Sequence, residues 1–263
     1  MIEFETIRYE LDDGLARITL ARPDKRNAVN QAMFTELGDA AEKAAGDSRV
    51  RAVLVAGDGP SFCAGIDLAL LGELGNLAAQ ASEEEGGFRS FVRAAQRPFR
   101  FLARMPKPAV AAVQGHAVGA GLQLALACDL RVAGKDAMLG MLEPRYGLIP
   151  DLGGPHRLAR LVGPSRAKEL VWSTRIVGAQ EALGIGLIDR IVEPEVLLSE
   201  AETLARQVSQ HSPTAVGLIK ELIERASETR SVGLEGAPPI GAVPHAHRKR
   251  VADLDPNLAR GAG

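Results

Sequence analysis

A glycine-rich turn before an apolar segment has the clearest chemical potential in this 263-residue sequence. Gly119 and Gly121 lie in the turn, which follows the apolar run at 109–113, and residues 122–127 predict a buried helix. The first N–H groups of a helix have no intrahelical acceptors, and the helix dipole is positive at that end. The stretch therefore predicts a site that stabilises a developing negative charge.

Two carboxylates, Glu143 and Asp151, follow this turn and are candidates for moving a proton. A turn at Gly147 separates them, so both side chains could face one pocket. Burial that raises the pKa of a carboxyl group toward neutrality allows it to take up and return a proton. The alternative for Asp151 is to cap a helix beginning near Leu152, and the alternative for Glu143 is a solvent-facing position at a strand end.

Alternating strands and helices are expected to position these residues. Apolar runs predict buried strands at 50–56 and 109–113, and a glycine-containing turn and a helix follow each of them. Asp12-Asp13-Gly14 predicts a hairpin turn, and Asn30 is a suitable helix N-cap. The other predicted elements are strands at 4–10, 15–20, 130–134 and 137–141 and helices at 31–45, 88–104, 152–162, 164–173, 194–211 and 213–227. This alternation predicts an α/β architecture with crossover connections, and the last two helices are expected to pack outside the main core.

Composition excludes several other classes of protein. A net charge of -2 and a pI near 6.2 give no electrostatic reason to expect a nucleic acid or an anionic membrane as partner. Cys63 and Cys128 lie in apolar contexts without metal-ligand spacing, which favours reduced, buried thiols. No basic and apolar leader is visible at the N-terminus, and the apolar stretch around Gly119 contains polar residues, so we expect a cytoplasmic protein without a membrane span.

Five motifs in a fixed order give this sequence a family resemblance. They are RPDKRNAVN (22–30), SFCAGIDL (61–68), GHAVGAGLQLALACD (115–129), GLIPDLGG (147–154) and IGLIDRIVE (185–193). Together they make the chain resemble the crotonase superfamily, also called the enoyl-CoA hydratase/isomerase family, over roughly residues 1–225.

The resemblance implies a crotonase-like spiral of ββα units with a C-terminal helical trimerisation region. The implied division is an acyl-CoA-binding core at 1–193, a helical region at 194–230 and a tail at 231–263. The Gly/Pro-rich tail departs from the long helical segment with which such proteins usually close the acyl site. A homotrimer or hexamer is implied, with an acyl-CoA substrate that brings its own coenzyme A, and with neither a separate cofactor nor a metal.

The resemblance also assigns a binding site to particular residues. The N–H groups of Ile66 and Ala120 correspond to the family's oxyanion hole, which agrees with the anion site expected at the glycine turn. The residues that correspond to the family's CoA-binding positions are Lys25, Arg26, Ala28, Ala64 and Asp67.

The residues at the catalytic positions favour one reaction of the family over another. Hydratases carry two glutamates, and here the corresponding residues are Gln123 and Glu143. An amide binds water but cannot exchange a proton at working pH. Asp151 matches an aspartate of dienoyl-CoA isomerases and of isomerases in ring-opening phenylacetate degradation. We therefore expect isomerase-type proton shuttling by Glu143, with Asp151 as a possible second acid/base.

Two alternatives to the isomerase remain. The first is a 2-enoyl-CoA hydratase in which Gln123 positions water and Glu143 delivers the proton. The second is an acyl-CoA-binding protein of the same fold with weak catalysis, which Gln123 and the divergent tail suggest.

Overall fold

A six-stranded sheet lies at the centre of the fold in the computed structural model, which describes residues 4–73 and 86–228. In sheet order its strands are β1 (Ile7–Asp12), β2 (Leu15–Leu20), β3 (Ala52–Gly57), β4 (Ala109–Val113), β6 (Leu130–Gly134) and β9 (Arg190–Val192). The second sheet contains β5 (His116–Val118), β7 (Met138–Gly140) and β8 (Val177–Gly178). Pairing is parallel except between β1 and β2 and between β7 and β8, which confirms the predicted crossover architecture.

Helices connect and cover these sheets. They are α1 (Gln31–Gly46), α2 (Gly86–Arg104), α3 (Ala120–Ala127), α4 (Gly154–Val162), α5 (Pro164–Ser173), α6 (Ala179–Gly184), α7 (Leu197–Val208) and α8 (Pro213–Glu228). One-turn helices occupy Pro23–Lys25, Glu143–Tyr146 and Pro194–Val196. Within the described part of the chain, no helix is both long enough and apolar enough to cross a bilayer.

Two local signals in the sequence determine the start of the fold. Asp13 and Gly14 adopt φ angles of 40° and 76°, the left-handed pair that a tight two-residue hairpin turn requires. The side-chain oxygen of Asn30 accepts a hydrogen bond of 2.9 Å from the Met33 N–H, so it caps α1 as predicted. The hairpin and this helix start are therefore both confirmed.

Both faces of the main sheet are buried. Val53 and Val55 of β3 pack into the larger core with α1 and α2, whereas Leu54 of the same strand packs on the other face. There it contacts a cluster that includes Leu204 and Ala205 of α7. The helix expected at 194–211 therefore lies outside the larger core, and α7 covers the second face of a parallel sheet that needs both faces buried.

The half-buried Lys220 ties helix α8 to the core. The Lys220 Nζ donates hydrogen bonds to the Asp129 carboxylate at 2.8 Å and to the Lys107 carbonyl at 3.0 Å. On its outer side α8 exposes Leu218, Ile219, Leu222 and Ile223. The trimerisation role of this region stays a prediction. The tail at 231–263 and most of the loop or weak helix expected at 72–87 lie outside the described residues.

Candidate active site

The N–H of Ile66 is left free by the way its neighbours pair with Val29. The Val29 N–H donates to the Gly65 carbonyl at 2.7 Å, and the Asp67 N–H donates to the Val29 carbonyl at 3.0 Å. In this parallel bridge the amide between them points away from Val29. No acceptor for the Ile66 N–H lies within 4–73 or 86–228.

The N–H of Ala120 is free for a different reason, since Ala120 is the first residue of α3. Gly119 precedes it with a φ of 54°. The Gln123 N–H donates a hydrogen bond of 3.0 Å to the Gly119 carbonyl. The Ala120 N–H has no acceptor among the described residues either. A Cβ atom at Gly65 would lie 3.9 Å from the Ala120 nitrogen, so the two segments are in direct contact. The fold thus brings both predicted oxyanion-hole amides together.

A cavity of about 370 Å³ opens beside these amides. Ile66, Ala120 and Glu143 all line it. Four of the predicted CoA-binding residues also line it, and these are Lys25, Ala28, Ala64 and Asp67. Arg26 does not line the cavity. Its φ of 46° ends the one-turn helix Pro23–Lys25, and its carbonyl accepts from the Ala64 N–H at 2.9 Å.

Arg22 ties the loop at 22–28 to the segment that carries Ile66. Its guanidinium donates to the Asp67 carboxylate at 3.0 Å and also to the Ala28 carbonyl. Burial raises the pKa of Asp67, but hydrogen bonds from the Ala69 N–H and from Arg22 outweigh this and hold it below the ordinary value. Arg22 therefore fixes one wall of the cavity, a role that its place in a charged loop did not reveal in the sequence.

Glu143 presents one free carboxylate oxygen inside the protein. Glu143 is the first residue of the one-turn helix Glu143–Tyr146 and is 7% exposed, so the solvent-facing alternative is wrong. Oε1 accepts a hydrogen bond of 2.7 Å from Gln123 Nε2, whereas Oε2 is buried without a partner among the described residues. Burial raises the pKa of Glu143, and the negative charge of Asp151 adds to this, whereas the hydrogen bond from Gln123 opposes it.

Gln123 lies behind Glu143 and does not line the cavity. Its side chain is 1% exposed, and its Oε1 accepts hydrogen bonds of 3.0 Å from both the Leu152 and Gly154 N–H groups. A carbonyl oxygen has two lone pairs, and both are used here. Gln123 therefore holds Glu143 in place and has no lone pair left on its oxygen to accept a hydrogen bond from a water molecule.

Asp151 lies in the turn that binds Gln123. Helix α4 begins at Gly154 with Gly153 at its N-cap and without a side-chain cap, so the helix-capping alternative for Asp151 is wrong. The Asp151 side chain is half-buried, and burial raises the pKa of its carboxyl group. It does not line the cavity, and it acts on Glu143 through its charge.

Other nucleophile or metal chemistry finds no support in the described part of the chain. Cys63 and Cys128 are both buried, and burial raises the pKa of each thiol to about 12. No group of three or more His, Cys, Asp or Glu side chains at 4–73 and 86–228 could hold a metal ion. The arrangement is instead suited to holding a thioester-type oxyanion with two amides while one carboxylate oxygen moves a proton.

Comparison with known proteins gives a consistent result. The sequence model of the enoyl-CoA hydratase/isomerase family matches residues 10–234. The chain is 36% identical over 227 residues to a crotonyl-CoA hydratase of Syntrophomonas wolfei, covering 86% of this chain and 84% of the relative. It is 35% identical over 228 residues to a short-chain-enoyl-CoA hydratase of Clostridium acetobutylicum, with the same coverage of 86% and 84%.

A solved structure with bound coenzyme A is among the similar folds. It is a putative enoyl-CoA hydratase of Thermobifida fusca in complex with CoA, with a TM-score of 0.75 and 34% identity. The likeness covers 94% of this chain and 90% of that one.

Proposed function

We propose double-bond isomerisation as the reaction of this chain, which belongs to the enoyl-CoA hydratase/isomerase family. Members of this family are enzymes that act on CoA thioesters, and this chain is one of them. The observation that carries the isomerase proposal is the state of the two residues at the catalytic positions. Glu143 lines the cavity and has one oxygen without a hydrogen-bond partner among the described residues, whereas the oxygen of Gln123 is used by the protein itself.

In the proposed mechanism, Glu143 is the only group that moves the proton. Its Oε2 removes a proton from the α-carbon of a 3-enoyl-CoA, and the electron pair moves onto the thioester oxygen. The N–H groups of Ile66 and Ala120 hold the resulting dienolate oxyanion. Glu143 then returns the proton to the γ-carbon, which yields the 2-enoyl-CoA. The proton balance closes within the substrate and there is no net oxidation or reduction, so the reaction needs no redox cofactor. The two amides stabilise the oxyanion in place of a metal ion.

The rest of the substrate is proposed to extend along the cavity wall made by the predicted CoA-binding residues. Lys25, Ala28, Ala64 and Asp67 line the cavity beside the oxyanion amides. The Lys25 ammonium would meet a phosphate of CoA. The similar Thermobifida fusca structure was solved in complex with CoA, which supports a CoA thioester as the ligand.

Separate incubations with a 3-enoyl-CoA and a 2-enoyl-CoA test the proposed reaction. We expect migration of the double bond in the first incubation to be much faster than addition of water in the second. The reason is that addition needs a water held and activated by two groups, and Gln123 cannot be the second one. Water addition at a rate comparable to double-bond migration would contradict the isomerase proposal.

The hydratase is the second candidate, because the names of the relatives from Syntrophomonas wolfei and Clostridium acetobutylicum favour it. The weakly catalytic acyl-CoA-binding protein is tested by solvent deuterium exchange into the α-carbon of a bound acyl-CoA. Exchange by the wild-type protein that is lost in Glu143→Gln would exclude the weakly catalytic binding protein. A wild-type protein that shows no exchange would support that alternative.

The pH dependence of kcat/KM should report the raised pKa of Glu143. The base must be ionised, so the rate should fall as pH falls through that pKa, and this acid limb should lie above the ordinary glutamate range. The measurement is kcat/KM as a function of pH, which reports the ionisation of groups in the free enzyme. An acid limb at the ordinary glutamate value would show that burial and Asp151 do not act on the base as described.

A further inference from the structure

The turn at 151–154 is held on its outer side by a residue of α2. Gln96 Nε2 donates a hydrogen bond of 2.7 Å to the Asp151 carbonyl. Gln96 is half-buried, lies 55 residues away from Asp151 in the sequence and does not line the cavity. A bond of this length across the fold fixes the turn against α2.

On its inner side, the same turn holds the side chain that orients Glu143. The Leu152 and Gly154 N–H groups bind Gln123 Oε1, and Gln123 Nε2 binds Glu143 Oε1 at 2.7 Å. The bond from Gln123 determines the direction of the carboxylate, because Glu143 Oε2 has no partner among the described residues. The space around Gln123 is tight as well, since a Cβ atom at Gly154 would lie 2.5 Å from Gln123 Cγ.

We infer that Gln96 is a positioning residue for the proton transfer. By holding the Asp151 carbonyl it fixes the turn, and the turn fixes Gln123 and thereby the carboxylate of Glu143. This inference rests on the proposed role of Glu143 as the base. Gln96 also holds the backbone from which the Asp151 carboxyl group extends, because the carbonyl that it binds belongs to the same residue.

Two effects should therefore follow from removal of the donor at Gln96. A loose turn lets Gln123 and Glu143 deviate from the reactive geometry, and a displacement of about 1 Å can cost about 100-fold in rate. A loose turn also lets the Asp151 carboxyl move toward solvent. Asp151 is the charged neighbour that raises the pKa of Glu143, so this pKa should fall when Asp151 is better solvated.

The test is Gln96→Met, which keeps the length of the side chain and removes the donor. We expect kcat to fall by about 10- to 100-fold. The KM for the acyl-CoA should change little, and the acid limb of the pH profile should move to lower pH. Arg93→Ala is the matched control, because Arg93 is an exposed residue of the same helix, and it should leave kcat and the acid limb unchanged.

Either of two results would overturn the inference. One is a Gln96→Met enzyme with the wild-type kcat, and the other is a loss of kcat with an unmoved acid limb, as a merely structural role would give. If Gln96→Met does not fold, the same measurements on Gln96→Leu decide, since a leucine side chain cannot donate either and adds no charge.

Exchange of solvent deuterium into the α-carbon separates this inference from the proposed function. If Glu143→Gln exchanges like the wild type, the proposed function itself fails. If Glu143→Gln abolishes exchange and Gln96→Met leaves it at the wild-type rate, only the inference about Gln96 fails.

Discussion

Replacing Glu143 by glutamine should lower kcat/KM for double-bond migration by about 10²- to 10⁴-fold, the range that a positioned acid/base supplies. An amide oxygen in place of Oε1 still accepts the hydrogen bond from Gln123 Nε2, so the geometry of the site should persist. Only the ability to take up a proton is lost. The measurement is the rate of conversion of a 3-enoyl-CoA by the purified variant, together with solvent exchange at the α-carbon.

Stability provides the control for Glu143→Gln. The pKa of Glu143 is raised in the folded protein, so ionisation of this carboxyl group opposes folding at pH values above that pKa. The amide removes this unfavourable charge, and the midpoint of thermal unfolding at neutral pH should stay equal or rise. A variant that keeps the wild-type rate would show that another group moves the proton.

Replacing Ala120 by proline should lower kcat by about 10²- to 10³-fold, the typical cost of one lost oxyanion-hole donor. Proline removes the N–H and is tolerated at the first position of a helix, which Ala120 occupies in α3. Gly119 before it has φ 54° and ψ −123°, an extended conformation of the mirror-image type that glycine adopts without strain. The helix should therefore form, and the loss should come from the missing donor.

Ala120→Gly is the matched control, because it removes the methyl group and keeps the N–H. It should retain most of the wild-type kcat, and both variants should bind free CoA with similar affinity. If a folded Ala120→Pro enzyme keeps the wild-type kcat, the Ala120 N–H has no role in the mechanism. A large loss of CoA binding would instead show that the proline ring blocks the cavity.

Much of the fold could be predicted from the sequence because its signals are local. Three elements that depend on neighbouring residues are found as predicted. They are the hairpin turn at Asp13-Gly14, the helix cap at Asn30 and the apolar strand β4. The packing of α7 could not be predicted in this way. An amphipathic helix near the end of a chain shows that it has an apolar face but not which surface that face covers.

The sequence by itself determined the family and the α/β architecture, because both depend on local motifs and hydrophobic patterns, and the family resemblance pointed to the Ile66 and Ala120 amides. Only the tertiary structure decided what Gln123 and Asp151 do. Gln123 makes its hydrogen bonds to residues 20, 29 and 31 positions away, so its partners exist only after the chain has packed. The same packing buries Glu143, leaves one of its oxygens free and brings the charge of Asp151 close enough to raise its pKa.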